Sequence, residues 1–259
     1  MEIVPFSITY PGSLLDLADG HDIMTLVHHG QYCLIDAALA LGHFRVWQAQ
    51  PPPDRAEWLA DSALRQEIEA QLRIERRIPD WPPLDARTWD ELRNEVQRRF
   101  LLERARRSEL VKSYKQRLPQ FFARGFLFAA DALRKVFIQL AEIDSTRAAG
   151  QAAIAALDAA LPDLGGVRNS TAHEEERVRG LARGRPIVAQ PIQNQYITAP
   201  GGNVRVTGAL MGDVFGCLLD DGRFGQVPVT QEAFEAAVRC YQDLLNALPW
   251  KGSGWVEPL

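Results

Sequence analysis

Two clusters of proline divide this chain into stretches with a helical pattern. One cluster is the triplet at 51–53, and the second lies at 78–83, where three of six residues are proline. Proline lacks a backbone N–H and fixes its own φ, so a helix does not continue through such a cluster. We therefore predict a linker at 51–53 and a domain boundary near residue 85. This boundary separates an N-terminal helical region, 1–85, from a larger region, 86–259.

Apolar residues recur at helical spacing through most of the chain. Thr88 and Thr230 precede helical patterns as predicted N-caps, and a short extended run at 3–10 opens the chain. The tail at 249–259 is predicted to be irregular. Helices are predicted at 22–48, 54–77, 88–117, 121–143, 146–161 and 170–183, with a final helix after Thr230.

Residues 187–229 break the helical pattern. Gly-rich turns alternate there with β-prone runs, and Asp221-Gly222 is typical of a hairpin turn. The predicted fold is therefore mainly α: a helical bundle with a small antiparallel β insert at about 187–229, before the last helix.

Charge and cysteine content exclude some classes of protein. The net charge of −4 means that the whole molecule does not attract nucleic acid, so such binding would need a local basic patch. Three widely spaced cysteines favour reduced thiols in a cytosol over a disulfide framework. The N-terminus has no signal-peptide pattern, and charged residues interrupt the most apolar helix, 121–143. We expect a cytoplasmic protein with no membrane segment.

The strongest chemical pattern is the stretch at 167–174, which reads Val-Arg-Asn-Ser-Thr-Ala-His-Glu and follows Gly165-Gly166. The glycines predict a break between helices. Thr171 and Glu174 form a capping-box pattern, and Ser170 is a competing N-cap, so a helix is predicted to begin near residue 170. The unpaired N–H groups of a helix start suit an anion.

The residue types of this stretch fit RNA chemistry. Arg168 can hold phosphate oxygens with a planar set of donors, and His173 can transfer a proton near neutral pH. RNA supplies its own nucleophile, the 2′-hydroxyl, so no metal or other cofactor is required. Asn169 and Arg177 lie four residues on either side of His173 and would flank it on one helix face, where Arg177 is a candidate for RNA contact. The plain alternative is a surface histidine among glutamates, with Arg168 in an ordinary ion pair.

Arg168-Asn169, three spacers and His173 resemble the signature of the HEPN superfamily, over roughly residues 90–250. The resemblance implies a small helical bundle whose Arg and His form a composite site at a homodimer interface. Many members are metal-independent ribonucleases of toxin–antitoxin and phage-defence systems, and others are inactive RNA-binding or regulatory modules. By that likeness Arg168 would hold the scissile phosphate, His173 would be general base or acid, and Asn169 would orient one of them. An antitoxin or regulatory protein is a further implied partner.

A basic stretch at 98–117 is the second candidate for RNA contact, with Arg104, Arg107 and Lys112 among its cations. The alternative is a solvated helix face. His28, His29 and Cys33 suggest a metal, but only two of them share a helical spacing and zinc requires more ligands, so we predict no metal site.

Three hypotheses follow. The first is a HEPN-like endoribonuclease acting on RNA as a homodimer. The second is a non-catalytic HEPN-like module that binds RNA or protein. The third is a structural protein in which Arg168 and His173 lie apart.

Overall fold

The computed structural model describes residues 3–50, 55–79, 85–202 and 204–259, and this part of the chain is mainly α-helical with small antiparallel sheets, as predicted. The helices are α1 (Gly20–Gln48), α2 (Arg55–Glu75), α3 (Ala86–Arg106), α4 (Lys112–Glu142), α5 (Arg147–Ala160), α6 (Leu164–Ala172), α7 (Glu174–Val178) and α8 (Gln231–Ala247). The strands are β1 (Ser7–Tyr10), β2 (Leu14–Leu15), β3 (Leu181–Ala182), β4 (Arg185–Pro186), β5 (Ile192–Gln193), β6 (Thr198–Ala199), β7 (Ala209–Met211), β8 (Val214–Leu218), β9 (Phe224–Pro228), β10 (Trp250–Lys251) and β11 (Trp255–Pro258).

The chain forms two compact units, of which the larger contains residues 1–48 and 119–259 and the smaller contains residues 49–118. The boundary that the sequence suggests near residue 85 falls within the smaller unit. The proline triplet at 51–53 and residues 80–84 lie outside the described part of the chain.

The two ends of the chain pair with each other in the larger unit. β1 runs antiparallel to β11, with Tyr10 opposite Trp255, and β2 pairs with β10. The Tyr10 ring stacks on Trp255 at 4.4 Å and meets Trp250 edge-on at 5.9 Å. The prediction of an irregular tail is therefore wrong. The tail is extended because its hydrogen-bonding partners lie at the opposite end of the sequence.

α8 is central to the core of the larger unit, where it packs against α5, α1 and β1. Thr230 caps it as predicted, and the hydroxyl oxygen accepts from the N–H of Ala233 at 3.2 Å. Tyr241 is fully buried, and its hydroxyl donates to the Val27 carbonyl at 2.6 Å. Gly30 makes room for that ring, since a Cβ there would lie 2.7 Å from it.

The three-stranded sheet β7–β8–β9 lies where the sequence predicts a β insert. β8 pairs antiparallel with both neighbours, and Gly216 lies opposite Ala209 on one side and Gln226 on the other. Gly222 takes a φ of +84° in the turn from β8 to β9, which confirms the predicted Asp221-Gly222 hairpin. Two short hairpins, β3–β4 and β5–β6, precede this sheet.

In the smaller unit, α2 and α3 pack side by side around Ile68, Leu72, Leu92, Val96 and Phe100. This cluster is small because each helix contributes one narrow apolar stripe.

α3 differs from its prediction at both ends. Its N-cap is Asp85, whose carboxylate accepts from the N–H of Thr88 at 2.9 Å, so Thr88 donates to the cap and does not provide it. The helix ends at Arg106 and not near 117, because Ser108 takes a φ of +56° and turns the chain. The basic stretch 98–117 is therefore divided between α3 and α4.

α4 begins at Lys112, nine residues earlier than predicted, and contains Pro119. A proline inside a helix forfeits one backbone hydrogen bond, but it does not end this helix.

No helix within the described ranges is both long and apolar enough to cross a membrane.

Candidate functional site

The two glycines before the motif lie inside a helix. α6 contains Gly165 and Gly166, and the Val167 N–H already donates to the Asp163 carbonyl at 2.8 Å. The predicted break, with a helix starting near residue 170, is therefore wrong. A Cβ on Gly166 would lie 3.2 Å from Leu219, so this glycine allows α6 to approach the strand region closely.

Arg168 and Asn169 consequently lie within α6, and His173 is the residue that ends it. The hydroxyl of Thr171, a predicted cap, donates to the Val167 carbonyl at 2.7 Å. The unpaired N–H groups at the start of α6 thus precede the motif. The predicted anion site at a helix start does not include Arg168.

Arg168 contacts α4 through charge and through its planar face. Its Nε lies 3.2 Å from Asp131 Oδ2, and its guanidinium carbon lies 5.2 Å from the centre of the Phe128 ring. Lys135 Nζ lies 2.8 Å from the same carboxylate oxygen. Asp131 is buried, with 6% of its side chain exposed, and it is shared by these two cations. The Arg168 side chain keeps 29% of its surface exposed.

His173 lies on the surface. Its side chain is 53% exposed, and Nδ1 lies 3.7 Å from Glu175 Oε1. Its imidazole is accessible to a ligand from solvent. The environment of His173 agrees with the plain alternative, and Arg168 is also in an ion pair, although with a buried aspartate of another helix.

Asn169 and Arg177 converge on Asp220, which lies in the turn after β8. Asn169 Nδ2 donates to one carboxylate oxygen at 3.4 Å, and an Arg177 Nη2 donates to the other. Arg177 is buried, with 2% of its side chain exposed, and it also donates to Ser170 Oγ at 3.3 Å and to the Leu181 carbonyl at 2.7 Å. Arg177 therefore joins α6, α7 and β3, and it is not presented to a phosphate beside His173.

A second cation of α4 contacts the residue after the motif histidine. Arg124 Nη2 donates to Glu174 Oε2 at 2.8 Å, and its guanidinium lies 5.9 Å from the Phe215 ring. The sequence reasoning did not identify Arg124, Asp131 or Asp220. Asp131 carried a usable signal, because a carboxylate on the apolar face of a helix needs a cation nearby.

A buried thiol lies on the inner side of α6. Cys217 of β8 is fully buried and its Sγ donates to the Val167 carbonyl at 3.7 Å. Burial raises the pKa of this thiol to about 12. The thiol is therefore protonated at neutral pH and is not a nucleophile there.

The three candidate RNA-binding cations of 98–117 lie in the smaller unit and differ in accessibility. Arg104 is buried with 9% of its side chain exposed, and it pairs with Asp61 at 2.7 Å and Glu109 at 3.2 Å. Arg107 is half exposed and donates to Glu103 at 3.0 Å. Lys112 is exposed at the start of α4. Arg104 therefore stabilises the fold of this unit and is not available to a phosphate.

The three residues that suggested a metal do not form a site. His28 and His29 are exposed on α1, whereas Cys33 is buried, and burial raises the pKa of its thiol to about 11. Within the residues that the structure describes, no three His, Cys, Asp or Glu side chains come together as a group able to hold a metal ion.

Comparisons with known proteins give no relative. No family model matches this chain, and no curated protein or solved structure matches it. What the site can do follows from its own side chains.

Proposed function

We propose that this chain is a metal-independent endoribonuclease of the HEPN type, acting as a homodimer. His173 takes the proton of the 2′-hydroxyl, whose oxygen attacks the adjacent phosphorus. Arg168 neutralises the charge that develops on the phosphate oxygens. The bond to the 5′-oxygen breaks, that oxygen accepts a proton, and the products carry a 2′,3′-cyclic phosphate and a 5′-hydroxyl.

The shared carboxylate of Asp131 is the observation that carries this proposal. Arg168 can exchange Asp131 for a phosphate only if the buried carboxylate keeps another cation, since an unpaired buried charge costs several kcal/mol. Lys135, 2.8 Å away, is that cation. The Phe128 ring beneath Arg168 guides the guanidinium plane while it changes partner.

The direction of the two side chains supports a site made by two copies. On a regular helix, residues five apart point about 140° away from each other. Arg168 contacts α4, whereas His173 lies exposed at the end of α6. Within one chain the Arg168 and His173 side chains therefore point in different directions. A two-fold dimer can bring Arg168 of one copy to His173 of the other.

Asn169 has a positioning role in this proposal. Its amide donates to Asp220, which also holds Arg177, so it fixes the α6 turn that carries Arg168 and ends at His173. A toxin–antitoxin or phage-defence setting, with an antitoxin or regulator as partner, completes the proposal through the resemblance alone.

Cleavage of mixed cellular RNA by the purified protein in excess EDTA tests the proposal. We expect cleavage by wild type, products that end in a 2′,3′-cyclic phosphate, and a loss of at least about 100-fold in His173→Ala and in Arg168→Ala. Arg179→Ala, an exposed arginine close to the motif, is the matched control and retains activity. Equal cleavage by all four proteins contradicts the proposal.

A non-catalytic RNA-binding or regulatory module is the second candidate. It is favoured by two contacts within the chain: Arg168 is already ion-paired with Asp131, and Asn169 already donates a hydrogen bond to Asp220. In that case wild type binds RNA, or a partner protein, without cleaving RNA. Binding that is unchanged in His173→Ala, together with no cleavage by wild type, selects this candidate.

A further inference from the structure

A polar cavity lies at the opposite end of α6 from His173. It has a volume of about 350 Å³, and its lining includes Asp163, Gln193, Arg223, Phe224 and Gln226. This volume is at the lower end of the range for small-ligand sites. None of these five residues belongs to the motif.

The walls of the cavity are held by hydrogen bonds within the larger unit. The Gln190 N–H donates to the Gly222 carbonyl at 2.8 Å, and its side chain donates to the Asp221 carbonyl at 3.0 Å. Asn194 Oδ1 accepts from two backbone N–H groups of the turn that follows β5. The segment 190–197 is thus fixed at Gln190 to the β8–β9 turn. The cavity exists before any ligand enters.

One wall is an aromatic ring that lies over a glycine. The Phe224 ring occupies the space beside Gly216 of the neighbouring strand, where a Cβ would lie 2.4 Å from it. The ring is partly exposed and borders the cavity. A ring held in this way is a platform on which a planar ligand can stack.

The polar groups around this ring can pair with the edge of a base. Gln193 and Gln226 are exposed, and within the described residues neither side-chain amide has a hydrogen-bond partner. Each amide offers both donors and an acceptor, which suits the mixed edge of a nucleobase. Asp163 adds a carboxylate beside them: Oδ2 accepts from the Gln226 N–H at 3.0 Å, and Oδ1 lies 3.7 Å from Arg223.

The cavity and the motif are joined through α6. Asp163 is the residue before α6, and His173 is the residue after it. Nine residues of helix span about 14 Å, a distance that an extended single strand covers in a few nucleotides. The turn after β8 reinforces this link, since Asp220 bonds Asn169 and Arg223 lines the cavity.

We infer that this cavity binds one nucleobase of a single-stranded RNA, a few nucleotides from the phosphate at Arg168 and His173. The base stacks on Phe224, and the amides of Gln193 and Gln226 bond its edge. Single-stranded RNA is commonly recognised in this way, by stacking and by edge hydrogen bonds. The inference rests on the proposed function for the identity of the ligand as RNA.

The test is equilibrium binding of a fluorescein-labelled, single-stranded 2′-O-methyl RNA of about ten mixed nucleotides. This probe lacks the 2′-hydroxyl, so binding is measured without cleavage. We expect Phe224→Leu to raise the dissociation constant about tenfold and Gln226→Ala to raise it about fivefold. Gln139→Ala, an exposed glutamine on α4, is the matched control and binds as wild type does.

Unlabelled adenosine, cytidine, guanosine and uridine serve as competitors in the same assay. Equal binding by wild type, Phe224→Leu and Gln226→Ala overturns the inference, and so does a wild type that binds no RNA. Binding of a nucleoside without binding of the RNA assigns the cavity to a free nucleoside and also overturns it. A thermal melt of each variant confirms folding, and Gln226→Ala changes only an exposed side chain.

The outcomes separate this inference from the proposed function. Binding that depends on Phe224, without any RNA cleavage by wild type, leaves the base site intact and removes the nuclease. If cleavage depends on His173 but RNA binding is unchanged in Phe224→Leu and Gln226→Ala, the nuclease is supported and the base site is rejected.

Discussion

At the scale of single residues, the ion pairs of the larger unit explain which cations can serve a ligand. Arg177 is enclosed by Asp220, Ser170 and the Leu181 carbonyl. Arg168 shares its carboxylate with Lys135 and remains partly exposed. The first arginine therefore holds elements together, whereas the second can exchange its partner at lower cost.

Arg177→Ala is expected to lower the free energy of unfolding by about 2 kcal/mol, because it leaves the Leu181 carbonyl without its buried donor and removes one of the two donors to Asp220. Urea denaturation followed by circular dichroism measures the change. Arg179→Ala, two residues away and exposed, is expected to stay within about 0.5 kcal/mol of wild type. Equal stability of the two variants would show that Arg177 is not the buried bridge described above.

Two buried thiols predict a loss of stability at high pH. Burial raises the pKa of Cys33 to about 11 and that of Cys217 to about 12, from an ordinary value of 9.0. The folded state keeps these protons while the unfolded state releases them, so the stability is complete below pH 9 and falls as pH rises toward 11–12. Cys217 alone accounts for about 2 kcal/mol at pH 10.5.

Urea denaturation at pH 7.5 and 10.5 measures this loss. Cys217→Ala is the comparison, and its stability is expected to fall less between the two pH values than that of wild type. Ellman's reagent adds a second readout: the thiols of the folded protein are expected to react slowly at pH 8 and those of the unfolded protein rapidly. Fast reaction of all three thiols in the folded protein would contradict their burial.

At the scale of elements, glycine pairs show why some boundaries could not be predicted from the sequence. Gly165-Gly166 is typical of a break, but neither residue takes a positive φ. A glycine is needed at 166 because α6 lies close against Leu219 there. That reason depends on a partner more than fifty residues away. Ser108 shows the converse case, because it turns the chain at φ +56° although the stretch 98–117 has no glycine or proline to mark a break.

Two local signals, in contrast, predicted their structures correctly. Thr230 caps α8 and Asp221-Gly222 forms the β8–β9 turn, and both depend only on neighbours within a few residues. The placement of Arg168 and Asn169 inside α6, with His173 at its end, was not predicted, because the sequence indicated a helix that begins near residue 170. Their partners Asp131 and Asp220 were not predicted either. The apolar face around Asp131 indicates that a cation lies nearby but not which one, and Asp220 lies on an element that only the fold brings close.

Two alanine substitutions test the description of α6 and α5. Gly165→Ala is expected to raise the free energy of unfolding by about 0.5–1 kcal/mol, because a Cβ there meets nothing within 4 Å and alanine favours helix. Gly150→Ala is expected to lower it by about 1–3 kcal/mol, because its Cβ would lie 2.5 Å from the Ala141 nitrogen. Urea denaturation of both variants measures the difference. Destabilisation by Gly165→Ala would support a break at this position and contradict the helix.

At the scale of the whole molecule, the larger unit is built from both ends of the sequence. β1 and β2 pair with β11 and β10, and α1 packs against α8. A sequence pattern predicts elements one at a time and does not reveal such distant pairing.

The smaller unit, 49–118, contains 15 Lys and Arg against 13 Asp and Glu, within a chain of net charge −4. Any electrostatic preference of the whole protein for RNA therefore depends on local groups.

The proposed site is made from Arg168 of one copy and His173 of another. Arg168→Ala and His173→Ala chains with different affinity tags can be co-expressed, and the mixed dimer purified by both tags in turn. In the mixed dimer one site lacks both residues and the other is intact, so we expect RNA cleavage in EDTA at about half the wild-type rate. Each variant alone is expected to be inactive. An inactive mixed dimer, or no mixed dimer at all, would contradict the claim.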